Sequence, residues 1–291
     1  MIGIRGDIDG LPIQELNEVD YKSQVPGVMH ACGHDVHTTS VLGAAMIISQ
    51  VRSELRGSVK FIFQPAEEIN AGAKAMLADG VLDAPRVDAI FGLHNHPSLK
   101  VGTVGVKEGP LMAAVDTIFI DVFGEGGHGA IPHRTVDPIV GDSAIVMGLQ
   151  TAVSRNVNPL EPAVVSIGTF LAGKANNVIP DKVEMSGTVR TFNPAVRDTM
   201  PETLERIVMG IASGYKAQAK LRYRKDLPPV LNDPAMTRVA EGAVIKVCGS
   251  AGVVRPEPSM GGEDLIAHVR FGWGRAAVRF PAYPITCGGR H

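Results

Sequence analysis

The sequence predicts an α/β fold, a largely parallel sheet domain with an inserted ferredoxin-like (βαββαβ) domain. Three observations predict it. Strand-like apolar runs alternate with amphipathic helical stretches through the first third of the chain, the signature of a parallel sheet. The patterning changes character near Ala114, and the Pro228-Pro229 pair marks a return. Between those points the elements follow the order of a split βαβ unit. The sheet domain accordingly takes residues 1–113 and 226–291, and the insert takes residues 114–225.

Taken in order, Ile2 to Ile8 reads as the first strand and stops at Asp9-Gly10 and Pro12. His37 to Leu55 carries Val41, Leu42, Ala45, Ile48, Val51 and Leu55 at helical spacing and ends at Gly57. Val59 to Phe63 is a buried-type strand ending before Pro65, a second helix near Ala71 to Ala78 is closed by Gly80, and the strand Val87 to Leu93 delivers His94. In the insert, Asp116 to Phe123 alternates as a strand, and Asp137 to Ser154 is helical with Asp137 as N-cap and Pro138 in the first turn. Strands Ala163 to Leu171 and Lys182 to Phe192 follow, then a helix around Thr199 to Tyr215 and a strand around Ala217 to Arg224. From about Leu265 onward the apolar periodicity fades into a Gly/Arg/Pro-rich tail for which no element is predicted.

The 291 residues are enough to bury a sizeable core, and 45% hydrophobic with 20% charged residues is an ordinary globular profile. A net charge of -2 gives no electrostatic case for nucleic acid or an acidic membrane surface as partner. Cys32, Cys248 and Cys287 are odd in number and scattered, which argues against a disulfide framework and for a reducing, cytoplasmic location. No membrane span or signal peptide is expected.

Chemistry concentrates near the start. Seven of the nine histidines lie in the first half, and three share one run with a cysteine, Met29-His30-Ala31-Cys32-Gly33-His34-Asp35-Val36-His37. An adjacent acid pair, Glu67-Glu68, and His94-Asn95-His96 follow. Thiolate, imidazole and carboxylate form the donor set of zinc, with manganese open where oxygen contributes. A spare carboxylate beside a ligating one is what metal-assisted hydrolysis uses as general base. Each signal alone has a plainer explanation: a loop cysteine with capping histidines, a solvated acidic turn, a satisfied core histidine. Their joint position beyond the carboxyl ends of the predicted strands, where ligands of such sheets sit, favours a shared site. Cys32 lies just before a helix start, whose dipole favours a thiolate. If the acid pair is extended, one carboxylate faces the metal and its neighbour the water. Gly261-Gly262-Glu263-Asp264 reads as a simple acidic turn.

These segments together resemble the zinc-peptidase family of aminoacylases, carboxypeptidases and amidohydrolases. The branch most resembled hydrolyses N-acyl amino acids and includes hippurate hydrolases and plant auxin-conjugate hydrolases. The matching stretches run in family order over roughly residues 1–264: Arg5-Gly6-Asp7-Ile8-Asp9-Gly10, His30 to His37, Phe63 to Glu68, Gly92-Leu93-His94, Gly126 to His133, Asn177-Val178-Ile179-Pro180 and Pro258 to Asp264. The resemblance implies Cys32, His34, Glu68 and His94 as ligands of one or two divalent ions, Mn or Zn, and Glu67 as general base. It implies an insert acting as lid and homodimerisation domain. There His128 stabilises the oxyanion, and Asn177 and Arg190 hold the substrate's carboxylate or scissile carbonyl. Asp9 orients a ligand histidine. The implied reaction is metal-dependent hydrolysis of the amide bond of N-acyl amino acids.

Against the family pattern the chain reads as shortened at its N-terminus. Its tail diverges, without the last histidine ligand, as a frame change in a coding sequence would leave it, so a second ion would be weakly held. Two other readings stay open at this stage. One is a truncated, non-catalytic remnant that serves only as a dimerisation or binding module. The other is a cysteine-nucleophile amidase using Cys32, which leaves the acid pair unexplained.

Overall fold

The computed structural model describes residues 1–266 and 277–279, and the rest of the tail, to which the sequence assigns no element, lies outside them. The chain divides into two compact units, Met1–Leu111 with Val230–Ser259 and Glu263–His291, and Met112–Pro229 with Met260–Gly262.

The first unit opens with β1 (Ile2–Asp7), α1 (His34–Gln50), β2 (Val59–Gln64), α2 (Gly72–Ala78) and β3 (Ala89–Gly92), followed by the short strands β4 (Val104–Gly105) and β5 (Gly109–Met112). Both neighbours of β1 run parallel to it, with Ile2 beside Val59 on one side and Ala89 on the other. The carboxyl ends of the three strands therefore emerge together, with Asp7 level with Gln64 and Arg5 with Gly92. Alternating helices and strands with β-branched and aromatic runs such as Val59–Phe63 produce this layout, since a parallel pair needs a crossover element between its strands. Ile62, Ala73 and Ile90 of the strands and α2 are buried, as is Val41 of α1. A β-carbon on Gly6 would lie 3.1 Å from the His37 carbonyl oxygen, so this glycine lets α1 sit directly on β1. The helix begins at His34, one turn before the expected His37, and ends at Gln50. That earlier start puts His34 and His37 on one face at a spacing of three.

The second unit is β6 (Ala114–Phe123), β7 (Gly127–His128), α3 (Pro138–Ser154), β8 (Ala163–Ala172), β9 (Val178–Ile179), β10 (Lys182–Thr191), α4 (Pro194–Gly214) and β11 (Gln218–Leu227). Its four long strands form an antiparallel sheet in the order β11-β6-β10-β8. Burial alternates strictly along β6, whose Ile118, Ile120 and Val122 pack with Ile145 and Leu149 of α3 and Leu204 of α4. Asp137 caps α3 by accepting from Ile139 N at 2.9 Å. The fourth helix starts at Pro194, behind an Asn193 cap, five residues before the expected Thr199. It runs through Pro201, which also lies inside the predicted helix. A buried ion pair from its first turn, Arg197 Nε to Asp116 Oδ2 at 2.9 Å, ties this stretch to β6.

The chain then re-enters the first unit through β12 (Val230–Asn232), α5 (Pro234–Cys248) and β13 (Val253–Val254), the last pairing parallel to β4. Asp233 caps α5 by accepting from Ala235 N at 2.7 Å, and Pro234 occupies its first position. No element is predicted from the sequence here. The last described strand, β14 (Ala277–Arg279), extends the parallel sheet to β14-β3-β1-β2. None of the described helices is long and apolar enough to cross a membrane.

Candidate metal centre

The chain segments after β1, β2 and β3, together with the loop that leads into α1, carry the candidate ligands. Cys32 Sγ lies 3.5 Å from His94 Nε2. His34, the first residue of α1, is fully buried and holds Asp9 Oδ1 at 3.1 Å through Nδ1. Its Nε2 points to the acid pair, 3.9 Å from Glu67 Oε2 and 3.8 Å from Glu68 Oε1. Ligand atoms of Cys32, His34 and His94, and those of His34, Glu67 and Glu68, each fall within 4.8 Å of one another. The first unit thus brings together all five residues expected there as ligands or base, with Asp9 behind His34 and accepting the Glu68 backbone N–H at 3.1 Å.

The acid pair is not extended. The strand ends at Gln64, Ala66 takes a left-handed φ of 56°, and Glu67 and Glu68 lie on the turn that follows. Both carboxylates consequently face the same side of His34, instead of pointing opposite ways as the extended reading required.

Among the described residues, two of the buried side-chain atoms without a hydrogen-bond partner belong to this site, His34 Nε2 and Glu68 Oε1, and they face each other across it. A buried polar atom left unpaired costs about 1–3 kcal/mol. A cation between imidazole, thiolate and carboxylate removes that cost, so the donor set fits a divalent metal.

The electrostatics describe the same deficit of positive charge. Burial, then the charges of Glu68 and Glu67, push the Cys32 thiol up to about 12. The helix dipole expected to favour the thiolate is outweighed by burial and by those carboxylates. Burial, then Glu263 and Asp264, raise Glu67 to about 9. Burial lowers the pKa of His94. Asp7 alone runs the other way: burial opposes its charge, yet the hydrogen bond with His37 and the Arg5 charge hold it below the usual carboxylate range.

A buried polar layer beneath the site was not read from the sequence. Arg5 pairs with Asp7 and Asp264 at 2.8 Å each, with Glu263 at 3.1 Å, and donates to Gln64 Oε1 at 3.0 Å. Asp264 also accepts from Gln64 Nε2 at 2.6 Å and Ala73 N at 3.1 Å. Glu263-Asp264 is therefore no simple acidic turn but a buried anchor. The available signal was Arg5 and Asp7, charges placed inside an otherwise apolar strand.

The remaining candidates belong to the second unit. His128 is exposed on β7, which pairs with β9 so that His128 faces Val178, and the Asn177 carbonyl accepts from Gly129 N at 2.8 Å. Asn177 is exposed as well. Arg190, on β10, is half-buried and donates to Thr188 Oγ1 at 2.8 Å and to the Met260 carbonyl at 3.5 Å.

Residues 3–276 match the family model of peptidase family M20/M25/M40. The chain is 52% identical over 265 residues to the N-acetylcysteine deacetylase of Bacillus subtilis (strain 168), a match covering 91% of this chain and 69% of that protein. It is 48% identical over 233 residues to the N-acyl-L-amino acid amidohydrolase of Geobacillus stearothermophilus, covering 80% of this chain and 62% of the relative. Among solved structures it is similar to the YXEP protein of Bacillus subtilis, described as a dinuclear metal binding peptidase from the M20 family. That likeness has a TM-score of 0.78 and 48% identity, over 91% of this chain and 67% of the other. The chain therefore spans about two thirds of the length of these relatives.

Proposed function

The chain belongs to peptidase family M20/M25/M40, and we propose that it hydrolyses the amide bond of N-acyl amino acids with a divalent metal, Mn or Zn, held by Cys32, His34, Glu68 and His94. The observation that carries this reading is the facing pair of unpartnered atoms, His34 Nε2 and Glu68 Oε1, beside the Cys32–His94 contact. The names of the two relatives, a deacetylase and an amidohydrolase, support amide chemistry on small acylated amino acids. When bound, the ion lets Cys32, Glu67 and Glu68 share the site as anions, polarises an acyl carbonyl and acidifies a water. Glu67 takes the proton of the attacking water and returns it to the departing amine nitrogen. Its burial against Glu263 and Asp264 raises its proton affinity, which suits that return step.

The second unit acts as lid and dimerisation domain in this proposal. Its element order and antiparallel sheet support a ferredoxin-like reading. His128 steadies the oxyanion, while Asn177 and Arg190 hold the substrate's carboxylate or carbonyl. Homodimerisation is supported by β8, the edge strand of that sheet, whose Phe170 and Leu171 are exposed. The thiolate ligand requires a reducing compartment, which supports a cytoplasmic location.

Elemental analysis of purified protein together with turnover of N-acetyl amino acids tests the proposal. Glu67→Gln keeps its metal and loses turnover by about 10²–10⁴-fold, whereas Glu68→Ala loses the metal first. A wild-type chain that takes up neither zinc nor manganese and releases no amine defeats it.

A further inference from the structure

Resting on the reading of Cys32, His34, Glu68 and His94 as ligands, we propose that His37, Asn95 and Gly33 form a latch between the two ligand-bearing loops. His37 is then a positioning residue and not a ligand. The accounting of ring nitrogens comes first. His37 is fully buried, its Nδ1 donates to Asp7 Oδ1 at 2.5 Å, and its Nε2 accepts the Asn95 backbone N–H at 2.7 Å. An imidazole with both nitrogens engaged has no lone pair to offer an ion. Asp7, His34 and His37 lie close enough together to suit a metal, but this accounting removes His37 from such a group. His34 differs in the one respect that matters, since its Nε2 is unpartnered.

Position in the chain comes second. Asn95 directly follows His94, and Gly33 separates Cys32 from His34. The Asn95 side chain fills the space that a β-carbon on Gly33 would need, and Gly33 takes a left-handed φ of 83°. One amide therefore rests on the Cys32–His34 loop while its own backbone is tied to His37. The His37 ring itself touches both candidate ligand rings, at 4.7 Å from His94 and 5.4 Å from His34 between centroids.

The anchor comes third. Asp7 is fixed by Arg5 at 2.8 Å, and its backbone carbonyl accepts from Thr38 Oγ1 at 3.0 Å. The latch thus fastens the loop after β3 to the carboxyl end of β1. Loss of a group that orients ligands in this way typically costs about 10–100-fold in metal affinity.

Cobalt(II) titration of the purified chain tests the latch without turnover, because the thiolate-to-cobalt band reports Cys32 and the visible bands report ligand geometry. Wild type is expected to bind with a thiolate band. His37→Leu and Asn95→Ala each weaken binding on the order of 10–100-fold and diminish that band. The double variant is no worse than the weaker-binding single one, since both break one latch. His37→Gln, whose amide oxygen can still accept from Asn95 N, recovers most of the affinity. Thermal melts of the metal-free forms identify any variant that does not fold. Asn95→Ala, which alters a half-buried side chain, carries the test if His37→Leu is such a variant. A folded variant that binds cobalt with wild-type affinity and spectrum overturns the latch and leaves the metal centre standing. Wild-type protein that binds none overturns the metal centre and the latch with it.

Discussion

Asp142 lies on the inner face of α3 with its side chain fully buried and neither carboxylate oxygen hydrogen-bonded. Burial raises its pKa to about 7. Below about pH 4 the carboxyl is protonated in both folded and unfolded chains, so ionisation adds no cost there. As pH rises from 4 to 7 the unfolded chain ionises first, so folded stability falls, and the loss is complete above pH 7. Asp142→Ala is therefore expected to raise stability by about 1–3 kcal/mol at pH 8 and by less near pH 4. Urea unfolding of both proteins at the two pH values checks this, and an equal difference at both refutes the assignment. Legibility at this scale divides the same way. Cys32, His34, Glu67 and Glu68 could be singled out because scarce donor types crowd together in the sequence. The work of His37 could not, because a third histidine in the run says nothing about where its ring nitrogens go. Asp142 carried no signal either, since a single acid on a helix is most often solvated.

At the scale of elements, helix starts matter most. The expected start of α1 at His37 missed one turn because Gly33, in its left-handed conformation, stands where a capping side chain is usual. Pro201 lies inside α4, although a proline's missing N–H normally breaks a helix. The helix persists there because Arg197, in its first turn, is clamped by Asp116, which also accepts from Tyr223 Oη at 2.7 Å. Breaking this buried pair leaves a charge without compensation. Asp116→Ala is expected to cost about 3–5 kcal/mol, while Asp116→Met with Arg197→Leu costs much less, as denaturant midpoints at constant slope would show. Equal losses in the two variants would mean the clamp acts through packing and not charge. No helix is predicted over α5, although Asp233-Pro234 is a clear start signal. Val239 and Val247 are more than half exposed and only Thr237 is buried, so little of this helix enters a core.

At the scale of the whole molecule, each unit buries apolar residues of its own, Ile62 and Ile90 in the first and the cluster around Ile118 in the second, and the candidate ligands lie in the first. That division makes metal binding a selective lever on stability. An ion held at 100 times its dissociation constant adds about 2.7 kcal/mol to the folded state it occupies. For a unit of this size that corresponds to about 5–10 °C in melting temperature. Calorimetry of metal-loaded protein is expected to resolve two transitions, of which a chelator lowers one by that amount and leaves the other in place. Asp116→Ala and Asp142→Ala should move the chelator-insensitive transition, and Glu68→Ala should abolish the chelator's effect without disturbing that second transition. The pattern is specific because its two halves have separate causes: an ion saturating unpartnered donors at the ends of parallel strands, and a charge clamp inside an antiparallel sheet. A chelator that shifted both transitions equally would place the ion outside the Cys32–His34–Glu68–His94 cluster or bind the two units into one cooperative block. Asp116→Ala separates those outcomes, since only a single block would carry its loss into the chelator-sensitive transition.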